Sequence, residues 1–494
     1  PNSPFNKKKV DILISNGTIS EISTKIEFED NMKIVEIDKG YVCPGLFDFS
    51  TDFQEPGNEQ KETIKSGIEA AINGGFTGVG LQPTLSPARD TLSEISYCKE
   101  KSNGNPLEII PYGTISKNGD GEELSEMYDM YTAGALAFTD HLKPVQHAGL
   151  MSRAILYAKN FNGLVISNPY DQNISPTGQM HEGITSTGMG LNGIPSLAEE
   201  LHLNRDIALT KYNEGKIHFN IISSKESVIR IADSKNDKLN VSCGTSIYHL
   251  IFNDEHLQNF TADFKMLPPL RTKEDQIALI EGIKKGIVDV ITSNHQPHEN
   301  EVREVEFPIA PMGCIGTQIA FPMALTYLLE ELDLETIVKT MSINPRTILQ
   351  TDIPVIKEDP DDLPNYYCPV KTQVTYMTGW GSDERYCPHA DNAVFIVTDP
   401  EICEALMPIG EIETKVNEDL SKFNEYIKKI TTLKRFVDEW PGGKELVPEE
   451  YMQRMAKKVV RAKSSKVTPA QIIPDELKEQ MNEVILTNKL LGDD

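Results

Sequence analysis

Three short segments place chemistry-capable side chains just past apolar runs in the first 300 positions. Asp52 stands just past an apolar run at 42–49, Asp140-His141 closes a run at 135–139, and His295-x-x-His298 follows a run at 288–292. Carboxylates and imidazoles at the ends of strands are the groups that bind zinc or move protons. Asp52, Asp140, His141 and His295 could therefore gather into a metal site. The residues interleaved with them argue the other way. Ser50 and Asn168 are weak neutral ligands, Ile221 has no lone pair to offer, and the amide of Asn294 is not basic at neutral pH. A lone histidine is more often a hydrogen-bonded structural group than a ligand, and His249 and His298 are read in that way. Cys368, Cys387 and His389 make three potential donors without a fourth, so a loop with buried or free thiols is the preferred reading there.

Eight short apolar runs position these groups, near 42–49, 77–81, 108–112, 135–139, 164–167, 217–222, 240–243 and 288–292. Between them lie helical patterns, among them 61–73 ended by Gly74-Gly75, 196–213 ended by Gly215, and 272–285 ended by Gly286. Strand and helix alternating eight times give an α/β fold of (β/α)8 TIM-barrel type, whose site-bearing residues sit at the C-terminal ends of the strands. Ahead of the barrel, alternation at 10–14 and 18–22 around Asn16-Gly17 marks a hairpin, with a third strand at 33–37. Helical stretches at 321–332 and 334–342 close the barrel. The expected organisation is a small flanking β-unit from 1–43, the barrel at 44–350, and a return to the β-unit at 351–399. That return carries a long insertion at 359–390 and a strand at 392–398. A helical C-terminal extension follows at 400–494, with an amphipathic helix at 415–440 and further helices at 448–462 and 475–491.

The bulk properties exclude several classes. The chain has 494 residues, 39% hydrophobic and 25% charged, with a formal net charge of -26. Such acidity disfavours nucleic acid and anionic membranes as partners. No apolar run approaches the roughly 20 residues needed to span a bilayer, and no secretory signal is visible. Seven scattered cysteines fit a reducing compartment, so a cytoplasmic location is expected. The basic run Lys457, Lys458, Arg461, Lys463 and Lys466 reads as a solvated helix face or a docking surface for an acidic partner.

The segment Phe47-Asp48-Phe49-Ser50-Thr51-Asp52-Phe53-Gln54-Glu55-Pro56-Gly57 resembles the first-strand signature of the dihydroorotases, members of the amidohydrolase superfamily. In that family the strand ends His-x-His-Phe-Arg-Glu-Pro-Gly. Ser50 and Asp52 thus stand at the two histidines and Gln54 at the arginine. Thr84, in Gln82-Pro83-Thr84-Leu85, stands at a substrate-holding asparagine. Asp140 is kept at the metal-bridging acid, with His141 beside it. Asn168 and Ile221 stand at the ligand histidines of the fifth and sixth strands, Leu267 at a substrate-contacting asparagine, and Asn294 at the catalytic aspartate, with His295 following. Leu191-Asn192-Gly193-Ile194-Pro195, Pro268-Pro269-Leu270-Arg271, Ala310-Pro311-Met312-Gly313 and Asn344-Pro345 keep the family's loop segments, so the resemblance spans roughly 10–357.

Active dihydroorotases bind one or two zinc ions, and a metal-bound hydroxide attacks a cyclic amide. With the ligands exchanged, the resemblance implies a vestigial mouth with no catalytic residue, no metal ligand and no cofactor. The expected function is then that of a catalytically inactive, non-enzymatic subunit. Its partner would be a protein such as aspartate transcarbamoylase in pyrimidine biosynthesis, and homo-oligomers are expected. Two alternatives stand beside it. One is an active dihydroorotase or other cyclic-amide hydrolase with an atypical zinc site. The other is an interaction protein acting through its helical tail.

Overall fold

The computed structural model describes residues 2–356 apart from 16, 17, 28–33, 35–39 and 84, together with a strand at 393–397. The hairpin is present: β1 (Asp11–Ser15) pairs antiparallel with β2 (Thr18–Ser23), in a register running from Asp11 opposite Ser23 to Ser15 opposite Thr18. Its Asn16-Gly17 turn lies outside the described residues, as does the strand expected at 33–37 but for Ile34. The next strand is β3 (Gly40–Pro44).

Eight parallel strands then make the barrel. The first five are β4 (Leu46–Thr51), β5 (Phe76–Leu81), β6 (Glu108–Pro111), β7 (Ala137–Phe138) and β8 (Leu164–Ser167). After a two-residue parallel pair, β9 (Met180–His181) with β10 (Gly193–Ile194), come β11 (Ile217–Phe219), β12 (Val241–Ser246) and β13 (Val290–Thr292). One sheet runs β4-β5-β6 and the other β13-β12-β11-β8-β7. Bridges from Gly113 to Phe138 and from Thr51 to His295 join the sheets at both seams and close the cylinder. The small β-unit regains a strand late in the chain, where β14 (Ala393–Val397) pairs antiparallel with β3 from Ala393 opposite Pro44 to Val397 opposite Gly40. The expected elements at 359–390 and from 398 onward lie outside the described residues. Cys368, Cys387, His389 and the basic run at 457–466 lie there too.

Every residue of β4 and β5 is buried. This is the signature of parallel strands covered on both faces, and it explains why these strands read as continuous apolar runs rather than alternating ones. Phe47, Phe49, Ile110, Tyr112, Leu164, Ile166 and Val290 pack in the interior, and the Tyr112 hydroxyl donates to the Phe49 carbonyl at 3.0 Å. The first outer helix runs Ile64–Asn73 and begins three residues later than its apolar pattern implied. Thr63 caps it, accepting from the Ser66 amide at 3.0 Å. Its Ile64, Ile68 and Ala71 face the barrel at helical spacing, each isoleucine contributing on the order of 2 kcal/mol through burial. The helix Ser196–Asn213 has the expected bounds, and Glu214 caps it in the left-handed conformation (φ 50°) just ahead of Gly215.

The closing helices are also broken more finely than their pattern. Ala320–Tyr327 and Leu334–Val338 are α-helical, a single π turn covers Lys339–Ile343, and Asn344–Leu349 resumes the α-helix. Arg346 on that last helix is buried and donates to the Gly45 carbonyl (2.9 Å), the Ser342 carbonyl (3.2 Å) and Thr77 Oγ1 (3.0 Å). It thereby pins the helix to the first residues of β4 and β5, the end of the barrel away from the mouth. Among the described residues no helix is long and apolar enough to cross a membrane.

Candidate active site at the barrel mouth

The strand ends place the buried Ser50, Asp52, Asn294 and His295 and the half-buried Asn168 at the C-terminal face. Ser50 is its hub. Gln82 Nε2 donates to Ser50 Oγ at 2.8 Å, and Asn220 Nδ2 reaches both Ser50 Oγ (3.1 Å) and Asn168 Oδ1 (2.9 Å). Asn168 Nδ2 in turn donates to Thr139 Oγ1 at 3.3 Å. A chain of neutral amides and hydroxyls thus crosses from β4 to β8. Gln82 and Asn220 were not singled out from the sequence, although both lie in the segments that carried the resemblance. Their signal was a polar residue directly at the end of an apolar run.

Three accepting oxygens in this layer have no hydrogen-bond partner among the described residues: Gln82 Oε1, Asn220 Oδ1 and Gln296 Oε1. Asp52 Oδ1 is a fourth. A buried polar atom left unpaired costs roughly 1–3 kcal/mol; of the four only Gln296 lines the cleft, and a donor near Asp52, Arg89 Nη2, is unpartnered as well.

Above the network lies a small cleft open to solvent. His141, Asn168, Asn294 and Gln296 supply its polar side, with Tyr170 at the edge. Leu142, Ile221 and Leu267 supply the apolar side, with Pro144, Pro169 and Pro268. Two of the polar residues sit in left-handed backbone, His141 at φ 46° and Asn294 at φ 53°. Non-glycine residues held in that region cluster at functional sites. Burial holds the His141 imidazole neutral, with its pKa pushed down to about 3.

The carboxylates divide sharply. Asp140 accepts from the amides of Ile115 (2.8 Å) and Ser116 (3.0 Å) and from the Ser116 hydroxyl, so it fastens the loop after β6. Burial still lifts its pKa to about 6, against the lowering effect of those bonds. Asp52 lacks that set of donors. Burial raises its pKa to about 7, opposed by the charges of Arg89 and His295 and by Gln54. Arg89 does not line the cleft. It is buried, and its Nη1 is clamped on the carbonyls of Leu81 (3.1 Å), Gln82 (3.0 Å) and Tyr112 (3.3 Å).

The remaining expected residues have structural work. His295 Nε2 donates to Glu62 at 2.8 Å while its Nδ1 accepts from the Gly316 amide at 3.0 Å, which fixes the loop after β13. His298 bonds the Met312 carbonyl and His249 the Pro268 carbonyl. Thr84 lies outside the described residues, and Gln54 is buried beside Asp52. Asp48, missed in the sequence, accepts from the Thr292 hydroxyl (2.5 Å) and the Ser293 amide (3.0 Å) and ties the first strand to the last. Glu199 accepts from Ser223, Ser224 and Ser227 and faces the buried Arg271 at 3.7 Å.

These residues do not fit a zinc site of the kind the resemblance implies. Among the described residues no three His, Cys, Asp or Glu side chains lie together so as to hold an ion. Asp52, Asp140, His141 and His295 are not brought into one cluster, because Asp140 and His295 are turned onto backbone amides and Glu62. No chemical step is therefore derived through a metal here.

Comparison with known proteins places this mouth in context. A family model described as dihydro-orotase-like matches residues 40–227. The dihydroorotase of Carboxydothermus hydrogenoformans is 39% identical over 345 residues, covering 69% of this chain and 80% of that protein. The dihydroorotase of Syntrophus aciditrophicus is 35% identical over 383 residues, covering 77% and 90%. Among solved structures, the L-hydantoinase of Arthrobacter aurescens superposes with a TM-score of 0.60 at 20% identity, covering 69% of this chain and 78% of that one. A D-hydantoinase gives 0.59 at 19%, covering 70% and 79%. The (β/α)8 barrel is shared with both.

These relatives overturn the expectation of an inactive, non-enzymatic subunit. Chains that share more than a third of their residues with this one, over most of their length, carry the name of an enzyme. The expectation of no cofactor falls with it, since it rested on lost activity in a family whose resemblance implies zinc. The physical fault in that expectation was to equate the exchange of individual ligand positions with the loss of reactivity, when a mouth can be rebuilt from other groups. Identity at this level, carried through the barrel and its loops, shows that the chain belongs to the dihydroorotase family of amidohydrolases.

Proposed function

We propose that this chain opens or closes a cyclic amide at the mouth of its barrel, as a dihydroorotase-type hydrolase with an atypical site. The observation that carries this reading is the 39% identity over 345 residues to a dihydroorotase of which the match covers 80%. The mouth supplies compatible groups. Asn168, Asn294 and Gln296 line the cleft and carry amides of the kind that can meet both the N–H and the carbonyl of a ring amide. Asp52 keeps an unpartnered oxygen and titrates near neutrality, so it is the group best suited to take a proton from an attacking water and return it to the leaving nitrogen. The four described cysteines, Cys43, Cys98, Cys243 and Cys314, are free and buried, which supports placing the protein in the reducing cytoplasm.

The test is ring opening and closure by the full chain, followed on dihydroorotate and on dihydrouracil, with and without added zinc, on protein purified without chelators. Turnover of either ring that falls by about a hundredfold in Asp52→Asn is the expected result. No turnover of any ring under any metal condition refutes the reading.

A further inference from the structure

Outside the cleft, the loop after β12 carries a buried lysine whose charge meets only neutral oxygens. Lys265 is 2% exposed. Its ammonium donates to Gln179 Oε1 (2.6 Å) and to the carbonyls of Phe307 (2.6 Å) and Ala310 (2.7 Å), with the Pro308 carbonyl at 3.4 Å. The Phe307 ring lies 4.8 Å from the same nitrogen. Three N–H donors thus find three close acceptors, and an aromatic face adds its attraction. Burial lowers the lysine's pKa to about 8, which leaves the ammonium form in place at neutral pH. A buried cation with no carboxylate beside it is costly unless fixed dipoles replace its lost water. Converging carbonyl oxygens replace the hydration shell of a bare potassium ion in the same way.

The oxygens of this cage come from loops that line or brace the mouth. Gln179 precedes β9 in the loop after β8, and its amide donates to the Asn192 carbonyl at 2.8 Å. Phe307, Pro308 and Ala310 belong to the loop after β13. That loop returns so that the Gly313 amide donates to the Lys265 carbonyl at 2.8 Å, and the next residue, Cys314, accepts from the Gln296 amide at 2.8 Å. Gln296 lines the cleft, as do Leu267 and Pro268 just past Lys265. One ammonium therefore joins the loops that follow β8, β12 and β13.

We propose that Lys265 is a positioning residue for the cleft wall. Its ammonium is a tethered monovalent cation, and the oxygen cage around it holds the three loops in the arrangement that forms the mouth. Cut back the side chain, and the cage takes a free ammonium or potassium ion. The inference is independent of which ring the cleft opens, and of whether it opens one.

Hydrogen exchange of the full chain, read by mass spectrometry in peptides spanning 177–182, 262–268 and 305–314, tests it. Lys265→Met keeps the apolar stem and drops the charge, and should raise exchange in all three segments by at least about tenfold. Lys265→Ala should do the same. Ammonium or potassium chloride at about 0.2 M should then restore at least about half of its lost protection, and lithium chloride at equal ionic strength should not. Parent-like exchange in Lys265→Met overturns the proposal, because the stem alone would then hold the loops; so does exchange raised in only one segment. Rescue of Lys265→Ala by lithium as well as by ammonium overturns it too, since that reports screening alone, and so does rescue by no salt. If Lys265→Ala does not fold in lithium chloride, its refolded yield in ammonium chloride is the readout, and an equal lack of folded protein in both salts counts against the cage.

Discussion

Asp52 and Asp140 stand at the ends of two barrel strands, with 2% and 3% of their surface exposed, and yet they do opposite things. On the β7 side, Asp140 meets two backbone amides and a hydroxyl, and its loop is held by it. On the β4 side, Asp52 keeps one oxygen without a donor and drifts further from an ordinary carboxylate, to about 7 rather than about 6. Burial is common to both, so burial does not separate a structural acid from a reactive one. The count of donors does, because each donor offsets part of the desolvation that burial imposes.

The strongest way to break this comparison is Asp52→Asn. A carboxyl raised from 3.8 to about 7 binds its proton more tightly in the folded state than in the unfolded one. Its ionisation therefore costs stability, with no effect below about pH 4 and the full effect above about pH 7. The variant should be more stable than the parent by about 4 kcal/mol at pH 8, an upper figure at about 1.4 kcal/mol per unit, and equal to it at about pH 4. Urea midpoints at the two pH values measure this, and an equal offset at both would mean that Asp52 is not the titrating group. The same change should abolish most ring opening, so stability and activity move in opposite directions.

Asp140→Ala should act with the other sign. It strands three buried donors and should destabilise by about 3 kcal/mol at neutral pH, read from the same unfolding curves. A neutral or stabilising outcome would erase the distinction between the two acids. Ser50→Ala removes the acceptor shared by Gln82 and Asn220 and should cost about 1–2 kcal/mol, read from the same unfolding curves. The smallest effect is expected at the cap of the helix Ser196–Asn213. Glu214→Gly relieves a left-handed non-glycine residue and should gain about 0.5–1 kcal/mol without touching the mouth. It serves as a reference for changes that are structural alone.

Much of the scaffold was legible in the chain itself. The eight apolar runs, the hairpin pattern and the Gly74-Gly75 stop carry their own physics, since buried parallel strands must be apolar on both faces and helices must end where the backbone can turn. The contributors to the mouth were legible as positions, because strand ends in such a barrel can face only one way. Their roles were not. Asp140 and His295 look alike to Asp52 in sequence, and only the packed structure turned the first two onto the amides of 115–116, Gly316 and Glu62. Gln82 and Asn220 became a network only when β5 and β11 were brought to either side of Ser50, across 32 and 170 residues of chain. Sequence spacing determines which atoms can reach a face of the fold. Which of them are satisfied there, and which are left to meet a ligand, is decided by contacts between segments far apart along the chain, where hydrogen-bond partners are assigned by geometry and not by order.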